Sequence, residues 1–396
     1  MTSQATVHHR RKFLQFLAAS PICNALAGLE FAHASGQAVS EPADAIDIFD
    51  LRATAERNIP TAHWGYLSTG VNDDSTLRAN RAAFEKYYVR TRRLVDVSNV
   101  DTSVEILGRR WPTPIVLAPV GSQKAFHPDG EIASARAARS RNHLQMLSTV
   151  TSTAIEEVTA AREEPVWFQL YTMGGWQGVR ARLRRAEAMG CPVVVFTVDL
   201  SGGTDSRHTL QRAVKVDTRD CAVCHDGNGI AAGPKPMVVG GDGSSERAHL
   251  TWDFLDRLRQ ETTMQVYVKG IVTAQDAELC VEHGVDGIIV SNHGGRGDDS
   301  GRGAIDSLAE VAPAVRGRVP LMMDSGIRRG NDIFKALALG ADAVLIGRSY
   351  IWGLGAFGQP GVEKALQILT DELRVAMQSF GTVKISDITR ERIGVA

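Results

Sequence analysis

The chain has 396 residues, 43% of them hydrophobic and 22% charged, with a formal net charge of −1. That composition excludes a disordered chain, and the near-neutral balance, with no basic stripe interleaved with aromatics, excludes a nucleic-acid binder. The length suffices for one large core, since α/β barrels reach about 250 residues as a single domain.

The first element in chain order is a leader. "HHRRKFLQFLAASPICNALAGLEFAHA" opens on a basic patch, carries no charge from Phe13 to Leu29, and ends in Ala32-His33-Ala34. This is signal-peptide grammar with cleavage after Ala34. Arg10-Arg11 followed by Phe13-Leu14 resembles a twin-arginine signal, which predicts export of a folded protein to the periplasm. The uncharged run is short and rich in Ala, Asn and Pro, so no stable membrane span is expected. Residues 1–34 are thus expected to be an export signal, 35–48 a tail, and 49–396 the functional domain.

From residue 114 short apolar runs alternate with helix-like segments: "PIVLAP", "LQMLST", "VWFQLY", "PVVVFTVD", "MQVYVKG", "VDGIIVSN", "VPLMMDSG" and "ADAVLIGR". Several helices end at a glycine that leads at once into the next run, as in "EAMGCPVVVF", "VEHGVDGIIV" and "LALGADAVLI". Eight such units predict a (β/α)8 TIM barrel, the continuous apolar runs suiting strands buried on both faces. An open doubly wound sheet is the alternative architecture. Residues 49–113 precede the barrel and 200–248 form a long Gly-rich loop after strand 4; "GVEKALQILTDELRVAMQSFG" has helical periodicity and closes the ring.

In such barrels the loops at the C-terminal ends of the strands converge on one mouth. The strand ends offer Gly121, Ser148, Gln169 with Tyr171, Thr197 with Asp199, Lys269, Asn292 with His293 and Arg296, Asp324 with Gly326 and Arg328, and Gly347 with Arg348. Glycines and arginines after strands 7 and 8 stand where barrels bind phosphate, through bare N–H groups and a guanidinium fork, so a phosphate-bearing cofactor is expected. His293 reads as a base, with Asp199 holding one tautomer. Arg296 offers a two-donor fork for a carboxylate, and the combination fits proton abstraction from an acid substrate. "GDDSGR" after Arg296 is left open, a solvated turn without a part in the chemistry being one reading; no metal is assigned to the site.

Taken together, "SNHGGR", "VKG", "FQLY", "TVD", "LAPVGSQKAFHPDGE" and "DSGIRRGNDIFKALALGADAVLIGR" resemble the FMN-dependent α-hydroxy acid oxidase and dehydrogenase family, over about Ile48 to Ile393. The resemblance implies oxidation of a lactate- or mandelate-like L-2-hydroxy acid to the 2-keto acid, with electrons passing to FMN and then to a second acceptor, and a homotetramer. It implies His293 as base, Asp199 as its partner, Arg296 on the substrate carboxylate, and the hydroxyls of Tyr171 and Tyr66 at the substrate. Lys269 is implied at the flavin's pyrimidine edge. Ser148, Gln169 and Thr197 are implied on the ring, with Val120 and Gly121 near its N5 side and Ser291 nearby. Asp324 is implied on the ribityl chain, and Gly326, Arg328, Gly347 and Arg348 on the phosphate. The export signal favours a dehydrogenase serving a respiratory cytochrome or quinone; a peroxide-forming oxidase and a non-catalytic flavin module are the rivals.

Two departures bear on the substrate. The family's second substrate arginine falls on Ser206, with Arg207 next to it as a substitute, and Val150 stands where some relatives have a bulky aromatic. The cysteines add a further reading. "CAVCH", residues 221–225, matches covalent haem c attachment through Cys221, Cys224 and His225, but the loop has few apolar residues to enclose a haem, and a local disulfide or a reduced or metal-binding pair is the favoured reading. Cys191 and Cys280 read as buried core residues.

Overall fold

Helix α1 (Ile48–Asn58) starts where Asp47 accepts the N–H groups of Phe49 and Asp50 in a reciprocal capping box. In this computed structural model, which describes residues 36–200, 208, 211, 212, 235–238 and 250–396, the stretch expected as a tail lies against that helix. Gln37 N–H donates to Asp50 at 2.8 Å and Val39 N–H to Thr54 at 2.9 Å. Helices α2 (Thr61–Ser68) and α3 (Ser75–Ala82), strand β1 (Tyr87–Val89) and the hairpin β2 (Val104–Ile106) and β3 (Arg109–Trp111) complete the pre-barrel segment. The expected export signal, residues 1–34, lies outside the described residues.

The eight apolar runs are eight strands: β4 (Ile115–Leu117), β5 (Leu144–Ser148), β6 (Trp167–Leu170), β7 (Val193–Thr197), β8 (Gln265–Ile271), β9 (Gly287–Val290), β10 (Leu321–Met323) and β11 (Ala343–Ile346). Each pairs in parallel with its neighbours, and β11 pairs with β4, so the sheet closes and the open-sheet alternative falls. Gly190, Gly284 and Gly340 take φ of 72°, 68° and 108°, the left-handed turn that stops one helix and starts the next strand.

Burial on both faces explains the unbroken apolar runs. Val116, Met146, Trp167, Val195, Tyr267, Ile289, Met322 and Leu345 form the inner cluster, while Leu117, Phe168, Val194, Ile288 and Val344 face the helices. Ile106 and Trp111 of the β2–β3 hairpin join the inner cluster beside Leu144, Val193 and Ala343, the first residues of their strands. The hairpin therefore plugs the N-terminal end and leaves the other end for chemistry.

The crossover helices are α4 (Gly130–Ser140), α5 (Ile155–Arg162), α6 (Gly175–Ala188), α7 (Trp252–Glu261), α8 (Ala274–Glu282), α9 (Ala304–Val315) and α10 (Gly330–Ala338). The closing segment α11 (Arg348–Phe380) is broken at Phe357 and Gly358, whose backbone angles are non-helical. Arg329 bonds Asp47 at 2.6 Å and Glu372 at 2.9 Å, so one guanidinium ties the cap of α1 to α11. Strand β12 (Ile393–Val395) pairs antiparallel with β1. Among the described residues no helix is long and apolar enough to cross a membrane.

Candidate active site

At the C-terminal ends of the strands a cavity is lined by Tyr66, Val120, Gly121, Ser148, Val150, Tyr171, Lys269, His293, Arg296, Asp324, Gly326, Arg328, Gly347 and Arg348, among others.

His293 stands just beyond β9 with φ 58°, followed by Gly294 and Gly295 at 66° and 81°. Three consecutive left-handed residues reverse the chain within one turn, and Ser291 Oγ accepts the His293 N–H at 3.0 Å to hold it. No larger residue fits at Gly295, because a Cβ there would lie 2.7 Å from the backbone N of Leu77. The loop thus sits directly on the first turn of α3.

Asp199 Oδ1 lies 2.7 Å from His293 Nδ1, and Tyr171 Oη lies 3.3 Å from Nε2. An ionised carboxylate only accepts, so Nδ1 carries the proton and Nε2 is the basic nitrogen facing the cavity. Lys269 Nζ lies 3.0 Å from Asp324 and 4.0 Å from Asp199, and donates to Ser291 Oγ at 2.7 Å. Burial opposes charge on Lys269, Asp199 and His293, but the outcomes differ. Asp324 and Asp199 hold the Lys269 ammonium above its usual range against burial, and His293 and Lys269 hold Asp199 below the carboxylate range. Burial, reinforced by Lys269, pushes His293 below the usual imidazole value although Asp199 pulls the other way. The result is a neutral base beside fixed charges.

Arg296 crosses from the same loop to α2. Its Nη2 donates to the carbonyls of Tyr66 at 2.7 Å and Leu67 at 3.3 Å, and its guanidinium lies 4.9 Å from the Tyr66 ring centre. Arg348 donates to the carbonyls of Leu67, Thr69 and Gly294, clamping the same two segments. Burial, and then the neighbouring Arg296 and Arg328, push Arg348 well down; burial, then Arg81, push Arg328 to about 9. Among the described residues neither Arg328 nor Arg348 has an ion-pair partner, so this rim carries an excess of positive charge suited to an anion.

Ser148, Gln169 and Thr197 form a buried row, Ser148 Oγ donating to Gln169 at 3.1 Å and Gln169 Nε2 to Thr197 at 3.0 Å. Only Ser148 of the three lines the cavity. Gly121 is bare by necessity, a Cβ there being 2.4 Å from Val150 Cγ2. Ser291 lies beneath the cavity and accepts from Lys269 and His293. Arg207, Cys221, Cys224 and His225 lie outside the described residues.

The "GDDSGR" stretch is not a solvated turn. Asp299 accepts the N–H groups of Thr76 at 2.9 Å and Asp73 at 3.0 Å, and Asp298 accepts from the Thr76 hydroxyl at 3.2 Å. Asp74, at the N-cap of α3, spends its carboxylate on Gly70 instead, so the cap comes from the far loop. Sequence reading also missed Asn80 and Ser325. Asn80 and Asn292 exchange two bonds of 2.8 Å, and Ser325 bridges Asp324 and Gly294.

A neutral imidazole, an acid-binding fork and an anion-hungry rim in one barrel mouth define a cofactor-dependent enzyme acting on a small acid. The model of the "FMN-dependent dehydrogenase" family matches residues 55–395, and the chain belongs to that family. It is 39% identical over 347 residues to an L-lactate oxidase of Lysinibacillus sphaericus, covering 86% of this chain and 90% of that protein. A mandelate oxidase variant solved with (S)-mandelic acid superposes with a TM-score of 0.78 at 34% identity, covering 89% of this chain and 98% of that one. A flavocytochrome b2 variant solved with pyruvate gives 0.78 at 29% identity, covering 90% and 88%. The cofactor is FMN, and the activity is oxidation of a 2-hydroxy acid.

Proposed function

We propose that this chain is an L-2-hydroxy acid dehydrogenase of lactate- or mandelate-like specificity, exported to the periplasm, that passes electrons from FMN to a respiratory cytochrome or quinone. The observation that carries the substrate reading is the Asp199–His293–Tyr171 line facing Arg296 across one cavity. Arg296 and the hydroxyls of Tyr66 and Tyr171 hold the carboxylate side of the acid, and His293 Nε2 takes a substrate proton. Asp199 stabilises the imidazolium that forms.

FMN supplies the two-electron acceptor. Arg328, Arg348, Gly326 and Gly347 would hold its phosphate, Asp324 its ribityl chain, and Lys269 the pyrimidine edge; Val120, Gly121 and the Ser148–Gln169–Thr197 row, with Ser291 below, would frame the ring. Val150 lines the cavity where some relatives have a bulky aromatic, which supports a roomier or differently shaped substrate pocket. The twin-arginine-like leader supports the periplasmic and respiratory parts of the reading. A second reading, an oxidase using O2 and forming H2O2, is favoured by the L-lactate oxidase relative.

The test is anaerobic bleaching of the bound flavin with glycolate, L-lactate and L-mandelate, followed by oxygen uptake against dye or cytochrome reduction. Bleaching with slow oxygen uptake is expected. Rapid peroxide formation replaces the dehydrogenase with the oxidase, and no bleaching by any of the acids sinks the substrate reading.

A further inference from the structure

Four arginines of α6, Arg180, Arg182, Arg184 and Arg185, have two different fates. Arg180 and Arg184 reach Glu261 at 2.7 and 3.8 Å, and Arg185 reaches Glu156 at 2.6 Å, all as ordinary ion pairs toward solvent. Arg182 is fully buried and reaches no carboxylate among the described residues. Its Nη2 donates to the carbonyls of Tyr171, at 3.1 Å, and Met173, while Nε and Nη1 meet no acceptor among the described residues.

This is an expensive arrangement. Burial alone pushes the Arg182 pKa down to about 10, and the side chain runs back toward the helix N-terminus, the end where the backbone dipole disfavours a cation. Replacing such a charge with an apolar residue is often neutral or stabilising, so stability does not explain its presence.

What it touches does. Strand β6 ends at Leu170, so Tyr171 has left the barrel ladder and its backbone needs partners elsewhere. Thr149 Oγ1 accepts the Tyr171 N–H at 3.0 Å, and Arg182 donates to the Tyr171 carbonyl. Both backbone groups of this one residue are thereby fixed by side chains, and its hydroxyl lies 3.3 Å from His293 Nε2. We infer that Arg182 is a positioning residue: a buried guanidinium, without an ion-pair partner among the described residues, that fixes the backbone of Tyr171 and so sets the distance of its hydroxyl from the His293 base. The inference rests on the reading of Tyr171 as a substrate-side group.

The test uses the FMN-loaded protein and anaerobic flavin reduction by whichever of glycolate, L-lactate and L-mandelate bleaches it fastest. Arg182→Leu, Arg182→Lys, Tyr171→Phe and the double variant Arg182→Leu/Tyr171→Phe are compared. A displacement of the order of an ångström at a reacting group costs up to about 100-fold, so Arg182→Leu is expected to slow reduction by about tenfold. Arg182→Lys, which keeps a donor for one carbonyl, recovers part of that and keeps the comparison open should Arg182→Leu not fold. In the Tyr171→Phe background Arg182→Leu is expected to add nothing, which a merely structural role cannot produce. Native rates in Arg182→Leu, or an equal loss in both backgrounds, overturn the inference and leave Tyr171 in place. Native rates in Tyr171→Phe remove the reading of Tyr171 and the inference with it.

Discussion

His293 Nδ1 and Asp199 Oδ1 stand 2.7 Å apart, one on the loop after β9 and the other just past β7, with Lys269 bonded within the same buried group of charges. The pair sets an acid limit on activity. A base works only when neutral, and burial, aided by Lys269, places His293 below the ordinary 6.5. The rate of flavin reduction is therefore expected to stay level down to below pH 6.5 and to fall as His293 protonates. Asp199→Asn removes the group that raises the imidazole, so the acid limb moves to lower pH while the plateau drops. Lys269→Met removes a charge that lowers it, and the limb moves to higher pH. A pH–rate profile of the three proteins checks this; limbs that coincide refute the coupling. His293→Gln keeps FMN and loses about 10²–10⁴-fold in reduction rate.

Arg296→Lys tests the fork. One ammonium cannot reproduce two parallel donors, and bonds to a charged acceptor contribute about 1.5–3 kcal/mol each, so KM is expected to rise about 10- to 100-fold. Arg296 also donates to the Tyr66 and Leu67 carbonyls, so a fall in kcat accompanies it if α2 shifts. Steady-state constants with an unchanged KM would remove Arg296 from the carboxylate site.

The barrel was legible because its cause is local. Continuous apolar runs follow from burial on both faces, and helix-ending glycines follow from the left-handed turn, both visible within a few residues of sequence. The strand ends were legible for the same reason: a polar residue ending an apolar run has few places to point. What escaped depends on contacts between distant segments. Asn80 pairs with Asn292 across 212 residues, and Asp299 caps a helix more than 220 residues earlier. Neither leaves a spacing that one segment can reveal. Arg182 stands in sequence among Arg180, Arg184 and Arg185, and only the fold turns it inward.

Asp299→Ala tests the cap. Loss of an N-terminal cap costs about 0.5–2 kcal/mol, so the unfolding free energy from denaturant titration should fall by that amount. The effect should reach the site, because Val71 N–H donates to Gly295 O at 3.1 Å and the His293 loop rests on α3. A rise in KM with FMN content unchanged is expected. Loss of stability with no kinetic change would confine Asp299 to holding α3.

The arginine rim makes a prediction about the protein stripped of FMN. Arg328 and Arg348 are both buried, both pushed down in pKa, and both lie near Arg296, so without the cofactor's phosphate their repulsion is offset only in part, by Asp332 beside Arg328 and Asp74 beside Arg348. Inorganic phosphate should bind there and raise the melting temperature of the stripped protein, a ligand at ten times its Kd contributing about 1.4 kcal/mol. The FMN-loaded protein, whose rim is already filled, should respond far less. Arg328→Met should abolish the response in the stripped protein and, by relieving the repulsion, raise its melting temperature without phosphate. Thermal melts with and without phosphate decide it: an equal shift in loaded and stripped protein would place the anion elsewhere on the surface, and a full response in Arg328→Met would take this guanidinium out of the phosphate site.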